Sequence, residues 1–253
     1  MFENVQKEVY TFMIAFTDIH SHVLHGVDDG SKDILTAVTT LKKMRQVGVK
    51  HLILTPHYCK RRGYETSVES IKRAYKELCE ICRLENIDIY LYLGTEMEYS
   101  TDTVRYIREG RVLTLADTKY ILTEFAPYVR SDTVLKACNE ILQLGYTPII
   151  AHVERYEALF NHFGLLHELK SRGVLIQVNI RSVCTAGFKL RRFLKRIFAE
   201  TIADFLAGDV HNYPIDRKEM EKCRKFVVKN SSDKYYRKLL HENADNIING
   251  GQI

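Results

Sequence analysis

Polar residues that can bind metal ions recur along the chain at points where short apolar runs end. His20 and His22, one residue apart, follow the first such run, and Asp28 and Asp29 come soon afterwards. Where a strand ends the chain leaves its pleat, so both imidazoles can face one cation. Further candidates at similar positions are His57, Glu96, Glu124, His152, Asp209 and His211. Imidazole and carboxylate donors together suit zinc, manganese or iron, and this mixed set predicts more than one ion.

The elements that must position these residues alternate regularly between short β-rich runs and longer amphipathic segments. We predict strands near residues 15–19, 51–55, 88–93, 119–124, 147–151, 174–178 and 203–207. We predict helices near residues 33–48, 67–86, 100–109, 131–144, 156–171 and 187–199, with more helix after 217. The strand runs are apolar on both faces, as strands covered by helices are. The alternation predicts an α/β fold with a parallel sheet of seven strands, closed or nearly closed.

The candidate ligands follow strands one, two, three, four, five and seven of this scheme. In a parallel barrel the carboxyl ends of the strands meet at one face, where active sites are built. Residues far apart in sequence but sharing that face predict a metal site with several ions. The other five histidines lack this placement, and we interpret them as surface or core residues: His25, His51, His162, His167 and His241.

Composition excludes several classes of protein. The chain has 253 residues, of which 45% are hydrophobic and 27% charged, as in an ordinary globular protein. A formal net charge of +5, spread along the chain, does not predict nucleic-acid binding. The N-terminus is acidic where a signal peptide is basic and then apolar, and no apolar run approaches the ~20 residues of a membrane span. We therefore expect a cytoplasmic protein that does not insert into a membrane.

The six cysteines do not form the pattern of a thiol-dependent phosphatase. That signature places an arginine six positions after the nucleophilic cysteine. Here those positions hold Glu65, Glu85, Asp88, Leu144, Leu190 and Lys229. Cys79 and Cys82 lie in a helical pattern without a second pair, so we interpret them as buried helix residues.

The order of motifs HSH, DDG, TPH, GTE, TEF, AHVERY and GDVHN resembles the polymerase and histidinol phosphatase (PHP) superfamily. More closely, it resembles the PHP-type bacterial protein tyrosine phosphatases found with capsule and exopolysaccharide genes. The resemblance runs from about Thr17 to the end of the chain. It implies one phosphatase domain over residues 17–253, folded as a distorted seven-stranded (β/α) barrel like that of TIM barrels. Residues 1–16 would form an N-terminal extension without an assigned role.

The resemblance also implies how nine residues would hold up to three divalent metal ions. One ion would take His20, His22, Glu96 and Asp209; a second would share Glu96 with Glu124 and His152; a third would take Asp29, His57 and His211. The residue types alone do not choose between Asp28 and Asp29, but the family pattern places the ligand directly before the glycine, which favours Asp29. Manganese is favoured because Glu124 adds negative charge where the superfamily often has histidine, with iron and zinc as alternatives.

The chemistry expected at such a site is hydrolysis of a phosphate ester. A water held between two divalent ions loses its proton near neutral pH and supplies hydroxide for attack on phosphorus. The resemblance makes Arg155 a phosphate-binding residue, and Arg217, after His211, is predicted to act in the same way. A tyrosinate leaving group departs readily, so a strong general acid is less necessary, and the sequence nominates none. The basic run Lys60-Arg61-Arg62 is interpreted as a solvated loop, with attraction of an acidic phosphopeptide as the alternative.

Together these features predict a metal-dependent phosphatase that acts on a phosphorylated bacterial tyrosine kinase with a tyrosine-rich tail. The alternative is a phosphatase of small molecules such as histidinol phosphate. A PHP nuclease would normally carry a further polymerase or helical domain, and a binding protein without activity would be expected to have lost some ligands. The sequence leaves open the native metal, the particular kinase and whether the chain forms a homo-oligomer.

Overall fold

Nine parallel strands form the centre of the fold in the computed structural model, which describes residues 16–253. The strands are β1 (Phe16–Asp18), β2 (Val49–Leu54), β3 (His57–Tyr58), β4 (Tyr90–Leu93), β5 (Glu96–Glu98), β6 (Tyr120–Glu124), β7 (Thr147–Ile150), β8 (Leu175–Asn179) and β9 (Phe205–Ala207). They pair in the orders β1-β2-β4 and β3-β5-β6-β7-β8-β9, in parallel throughout. The predicted α/β class with a parallel sheet is therefore confirmed.

Helices connect the strands and cover the outside of the sheet. They are α1 (Ile34–Gln46), α2 (Val68–Leu84), α3 (Thr103–Arg108), α4 (Ser131–Gln143), α5 (Glu157–Asn161), α6 (Phe163–Ser171), α7 (Ile180–Thr185), α8 (Phe188–Ala199), α9 (Arg217–Asn230), α10 (Asp233–Arg237) and α11 (Asn243–Ile248). A π-helical turn, Lys238–Glu242, joins the last two, and 3₁₀ turns occur at Lys60–Arg62, Leu115–Asp117 and Val153–Arg155. No helix within residues 16–253 has the length and apolar character needed to cross a membrane.

Two of the predicted strands, near residues 51–55 and 88–93, are each followed after a short interruption by a second strand that was not predicted: β2 by β3 and β4 by β5. Pro56, at the first interruption, has no backbone N–H to donate. At the second interruption, a Cβ on Gly94 would lie 2.5 Å from Leu115 Cδ2, so a larger residue would force Leu115 to shift. The backbone still pairs across both breaks, since the Glu96 N–H donates to the Pro56 carbonyl at 3.1 Å. His57 and Glu96 consequently stand side by side in register.

The segments that follow the first and last strands also meet. Ser21 and Val210 form an isolated parallel bridge, and the His22 N–H donates to the Val210 carbonyl at 2.8 Å. The Asp209 N–H donates in turn to the carbonyl of His20 at 3.0 Å. The parallel sheet is therefore curled, with the regions after β1 and β9 in contact.

Alternating side chains along the strands divide the core into an inner layer and an outer layer. Leu122, Ile149 and Leu175 are buried inside the curled sheet, while Ile150 and Ile176 face the helices. Burying a side chain of this size contributes about 1.5–3 kcal/mol. Residues two positions apart on a strand share a face. The next inward-facing positions toward the carboxyl ends of the strands include polar residues, such as Glu124 after Leu122 and Gln177 after Leu175. The apolar layer thus packs directly below the polar residues at the carboxyl ends of the strands.

Most predicted elements lie where expected, with three differences besides the interrupted strands. The helix predicted over residues 156–171 is divided at His162 into α5 and α6, and α7 was not predicted. Phe16 already belongs to β1, so the structured region reaches into the predicted extension. The rest of that extension, residues 1–15, lies outside the described residues.

Candidate metal centre

All nine predicted ligands lie in one cluster at the carboxyl ends of the strands. Four sets of their ligand atoms fall within 4.8 Å of one another: His20, Glu96 and His152; His20, His22 and Asp209; His57, Glu96 and Glu124; and His22, Asp29, His57 and His211. Seven of the nine residues, His57 among them, are buried. We call the other six buried residues the inner group: His20, His22, Glu96, Glu124, His152 and Asp209. The outer group is Asp29, His57 and His211, in which the aspartate and His211 side chains are 39% and 32% exposed.

Glu96 lies at the centre of the cluster. Its Oε1 is 2.8 Å from His152 Nε2, and its Oε2 is 2.9 Å from His57 Nδ1 and 3.2 Å from His22 Nε2. Although Glu96 Oε2 is fully buried, it has no hydrogen bond of good geometry within residues 16–253. An orphaned carboxylate oxygen among imidazole nitrogens fits a place for a shared cation.

Two of the candidate ligands have an unusual backbone conformation. His152, at the turn after β7, has a φ of 33°, and Asp209, after β9, has a φ of 49°. Residues other than glycine rarely adopt this left-handed region, and they persist there when the surrounding structure holds them. The turns after β7 and β9 thus direct both side chains into the cluster at some conformational cost.

The two consecutive aspartates after His22 have different surroundings. Asp28 Oδ2 is 2.7 Å from His22 Nδ1 and accepts the His57 N–H at 3.0 Å, so this carboxylate orients an imidazole from behind. Asp29 instead places Oδ1 at 3.5 Å from His57 Nε2 and 3.4 Å from His211 Nε2. The geometry thus gives Asp29 the position of a ligand and Asp28 that of a supporting carboxylate.

Strand β8 supplies two polar side chains that the sequence analysis did not identify. Gln177 Oε1 is 3.2 Å from His20 Nδ1 and accepts the His152 N–H at 2.8 Å. Its amide nitrogen donates to Asn179 Oδ1 at 2.7 Å, and the Asn179 amide donates to Asp209 Oδ2 at 2.8 Å. This buried chain of amides fixes three members of the inner group.

Two further residues hold the inner group in place. The Tyr156 hydroxyl is 3.1 Å from His152 Nδ1 and accepts the Phe125 N–H at 3.0 Å. Asp18, at the end of β1, accepts the Gly208 N–H at 3.0 Å, and a Cβ on Gly208 would lie 2.5 Å from Asp18 Oδ2. Burial raises the pKa of Asp18 to about 7. Asp18 therefore ties the first strand to the segment that carries Asp209.

The ionisation of the cluster shows the mutual attraction of imidazoles and carboxylates. Burial alone would raise the pKa of Glu96, but the charge of His20 and a hydrogen bond from His152 hold it well below its usual range. Burial opposes charge at His57 as well, yet the neighbouring carboxylates of Glu124 and Glu96 raise its pKa to about 9. The pKa values of His20 and His22 are raised as well, so protons on these three imidazoles balance the carboxylates, and binding of a metal ion must displace them.

Three arginines differ in how they relate to the cluster. Arg155, in the 3₁₀ turn after β7, contacts Asp209 Oδ2, and half of its side chain is exposed. Arg62 contacts Glu124, so the solvated-loop interpretation of the basic run is wrong for this residue. Arg217 lies elsewhere and donates to the Gln46 carbonyl at 3.3 Å, at the end of α1. Its role in phosphate binding stays a prediction.

The cysteines do not offer an alternative nucleophile. All six are free thiols, and Cys79 alone among them is not fully buried. Burial raises the pKa of Cys82 to about 11 and that of Cys138 to about 12. Since the thiolate is the reactive form, these groups are poorly suited to nucleophilic attack.

The chain belongs to the CpsB/CapC family of capsular polysaccharide synthesis, because the model of that family matches residues 16–249. The tyrosine-protein phosphatase CpsB of Streptococcus pneumoniae is 31% identical over 238 residues, which cover 91% of this chain and 97% of the relative. The putative tyrosine-protein phosphatase CapC of Staphylococcus aureus is 30% identical over 230 residues, which cover 88% and 86% of the two chains.

One solved structure supports the same family membership, and a second shares only the fold. The chain is similar, with a TM-score of 0.83 and 25% identity, to a crystal structure from work on YwqE of Bacillus subtilis and CpsB of Streptococcus pneumoniae, which are described as metal-dependent tyrosine phosphatases. The match covers 94% of this chain and 96% of the other. Histidinol phosphate phosphatase from Lactococcus lactis reaches a TM-score of 0.55 at 16% identity, covering 85% and 94%, and shares the fold alone.

Proposed function

We propose that this protein is a metal-dependent protein tyrosine phosphatase that acts on a phosphorylated bacterial tyrosine kinase of capsular or exopolysaccharide synthesis. The observation that carries the proposal is the convergence of five imidazoles and four carboxylates on one face of the sheet. It occurs in a chain whose family contains tyrosine-protein phosphatases. Together, the donor set and the family indicate hydrolysis of a phosphate ester at this cluster.

The nine side chains would hold up to three divalent ions. The inner group would hold two, with Glu96 shared between them, and the outer group would hold the third. Four carboxylates among nine donors favour a hard ion, so manganese is our first choice, with iron and zinc as alternatives. The orphaned Glu96 Oε2 supports a shared ion at the centre of the cluster.

Residues of the chain supply orientation and charge to the reaction. Bound divalent ions supply positive charge, which lowers the pKa of water and offsets the charge of the phosphoryl oxygens. Asp28, Gln177 and Tyr156 fix the ring orientations of the histidines, which is a condition for electrostatic preorganisation. Arg155, between Asp209 and solvent, is suited to grip the phosphoryl group through two parallel N–H donors.

Several finer features belong to the same proposal. Residues 17–253 would form a single phosphatase domain, and β2 with β3 and β4 with β5 would each count as one strand of a distorted seven-stranded barrel. The contact between the regions after β1 and β9 supports that arrangement. We place the reaction in the cytoplasm, where a kinase tail phosphorylated with ATP would be found, and we expect neither nucleic-acid binding nor membrane insertion.

The experiment is a comparison of three substrates with the manganese-loaded protein. A phosphotyrosine peptide, a phosphoserine peptide of the same sequence and histidinol phosphate should be measured side by side. We expect kcat/KM to be highest for phosphotyrosine, because its phenolate is the better leaving group. A clear preference for histidinol phosphate would instead assign the chain to the phosphatases of small molecules, and equal rates for the two peptides would contradict tyrosine specificity.

A further inference from the structure

A tight turn after β3 directs one arginine of the basic run back toward the metal centre. Cys59 and Tyr64 pair across the turn, with the Cys59 N–H donating to the Tyr64 carbonyl at 2.7 Å and the reverse bond at 3.0 Å. Gly63, with a φ of 77°, adopts the left-handed conformation that closes the 3₁₀ turn. The position of Arg62 is thus set by backbone pairing.

The Arg62 guanidinium spans the edge of the cluster. One terminal nitrogen, Nη2, lies 3.0 Å from His57 Nδ1 and also contacts Glu124 Oε1. Its Nε donates to Cys59 Sγ at 3.4 Å, and the group lies over the ring of Tyr64, 5.4 Å from its centre. Tyr64 in turn stacks on His57, with ring centres 5.6 Å apart. Arg62 therefore contacts one residue from each group of candidate ligands.

Its neighbour Arg61 has a different partner. The Arg61 Nε and Nη2 donate to Glu98 Oε1 at 3.0 and 2.6 Å, and its side chain is 59% exposed. Glu98 is not among the nine candidate ligands. The two consecutive arginines thus differ in their relation to the cluster while sharing charge, size and loop.

The remaining donors of Arg62 face an environment that favours an anion. Nη1 has no hydrogen-bond partner within residues 16–253, and 31% of the side chain is exposed to solvent. If divalent ions bind Glu124 and His57, the Arg62 guanidinium lies beside positive charge and no longer has a free carboxylate as its partner. The negative oxygens of a phosphoryl group can accept hydrogen bonds from the planar guanidinium of Arg62. They would then lie between this guanidinium and the divalent ions.

We propose that Arg62 is a second phosphate-binding residue, which grips the phosphoryl group from the turn after β3 while Arg155 grips it from the turn after β7. This inference rests on the proposed phosphatase function. The two arginines contact different carboxylates of the cluster, Glu124 and Asp209, so they would approach the same anion from different directions. Two guanidinium groups placed in this way would orient the phosphoryl group and also offset its negative charge.

The test compares Arg62→Gln with Arg61→Gln as the matched control and Arg155→Gln as the reference. Manganese content, the Kd for inorganic phosphate by calorimetry and kcat/KM for a phosphotyrosine peptide should be measured for each. We expect Arg62→Gln to keep its manganese while its Kd for phosphate and its kcat/KM worsen by at least about tenfold, as Arg155→Gln does. Arg61→Gln should stay within about threefold of the wild type. Arg62→Lys should fall between wild type and Arg62→Gln, since it keeps the charge without the fork.

Two results would overturn the inference while leaving the proposed function intact. Arg62→Gln could match Arg61→Gln in phosphate affinity, or it could lose manganese, which would make Arg62 a support of the metal centre. A wild-type protein that binds phosphate through Arg62 but does not hydrolyse phosphotyrosine would contradict the proposed function and leave this inference standing.

Discussion

The inner and outer groups of the candidate metal centre are built in different ways. Histidines of the inner group have side-chain partners behind them, such as Gln177 for His20 and Tyr156 for His152, and all six members are buried. The outer group has less support: His211 Nδ1 lies 3.2 Å from the Asp209 carbonyl, and Asp29 is partly exposed. Because supporting residues raise metal affinity and orient ligands, we predict that the inner group would hold metal ions more tightly than the outer group would.

The largest effect is expected from Glu96→Gln, in the middle of the inner group. The amide has nearly the same shape but removes the negative charge that two ions would share. We expect kcat for a phosphotyrosine peptide to fall by roughly a hundredfold or more, and metal content to fall with it. Activity within about threefold of the wild type at full metal occupancy would show that Glu96 does not hold an ion.

A smaller effect is expected from Asp29→Asn, in the outer group. Loss of this carboxylate should weaken binding of one ion and leave the inner set in place. We expect roughly a tenfold loss of kcat/KM, recovered in part by added manganese, and a lower metal-to-protein ratio after dialysis. If Asp29→Asn loses all of its metal, as Glu96→Gln should, the two groups are not separable.

The smallest effect concerns the stability of the protein after chelation. A group whose pKa is raised by folding stabilises the folded state below its ordinary pKa, and this contribution is lost as pH rises through the raised value. For His57, whose pKa is raised from the ordinary 6.5 to about 9, this contribution is lost between pH 6.5 and about pH 9. The Tm of the chelated protein should therefore fall as pH rises across this window. Restoring manganese should remove the fall, and a flat or rising Tm in the chelated protein would contradict the ionisation described above.

The sequence predicted which candidate ligands would lie together, because each lies near the end of an apolar run, a pattern visible without coordinates. Gln177 and Asn179 were missed although a signal existed. They alternate with Ile176 and Val178 on β8, so they share the inward face of Leu175. Two polar residues at that spacing in an otherwise apolar strand indicate a polar interior.

Other features could not be read from the sequence. Arg62 reaches the cluster only because Cys59 and Tyr64 pair across a turn, which residue types alone do not specify. The close approach of Gly94 to Leu115 and the continued pairing across the two interruptions are likewise tertiary features. These features arise from tertiary geometry, whereas the parallel sheet and the edge at which the candidate ligands meet follow from local pattern.

The central claim is that phosphotyrosine hydrolysis depends on metal ions held by this cluster and on no cysteine. The most direct measurement follows activity and bound metal together during chelation and during titration with manganese, with thiol alkylation as the control. We expect activity to disappear as metal is removed, to return with manganese, and to persist after alkylation. Full activity in the metal-free protein, or inactivation by alkylation at unchanged metal content, would contradict the account.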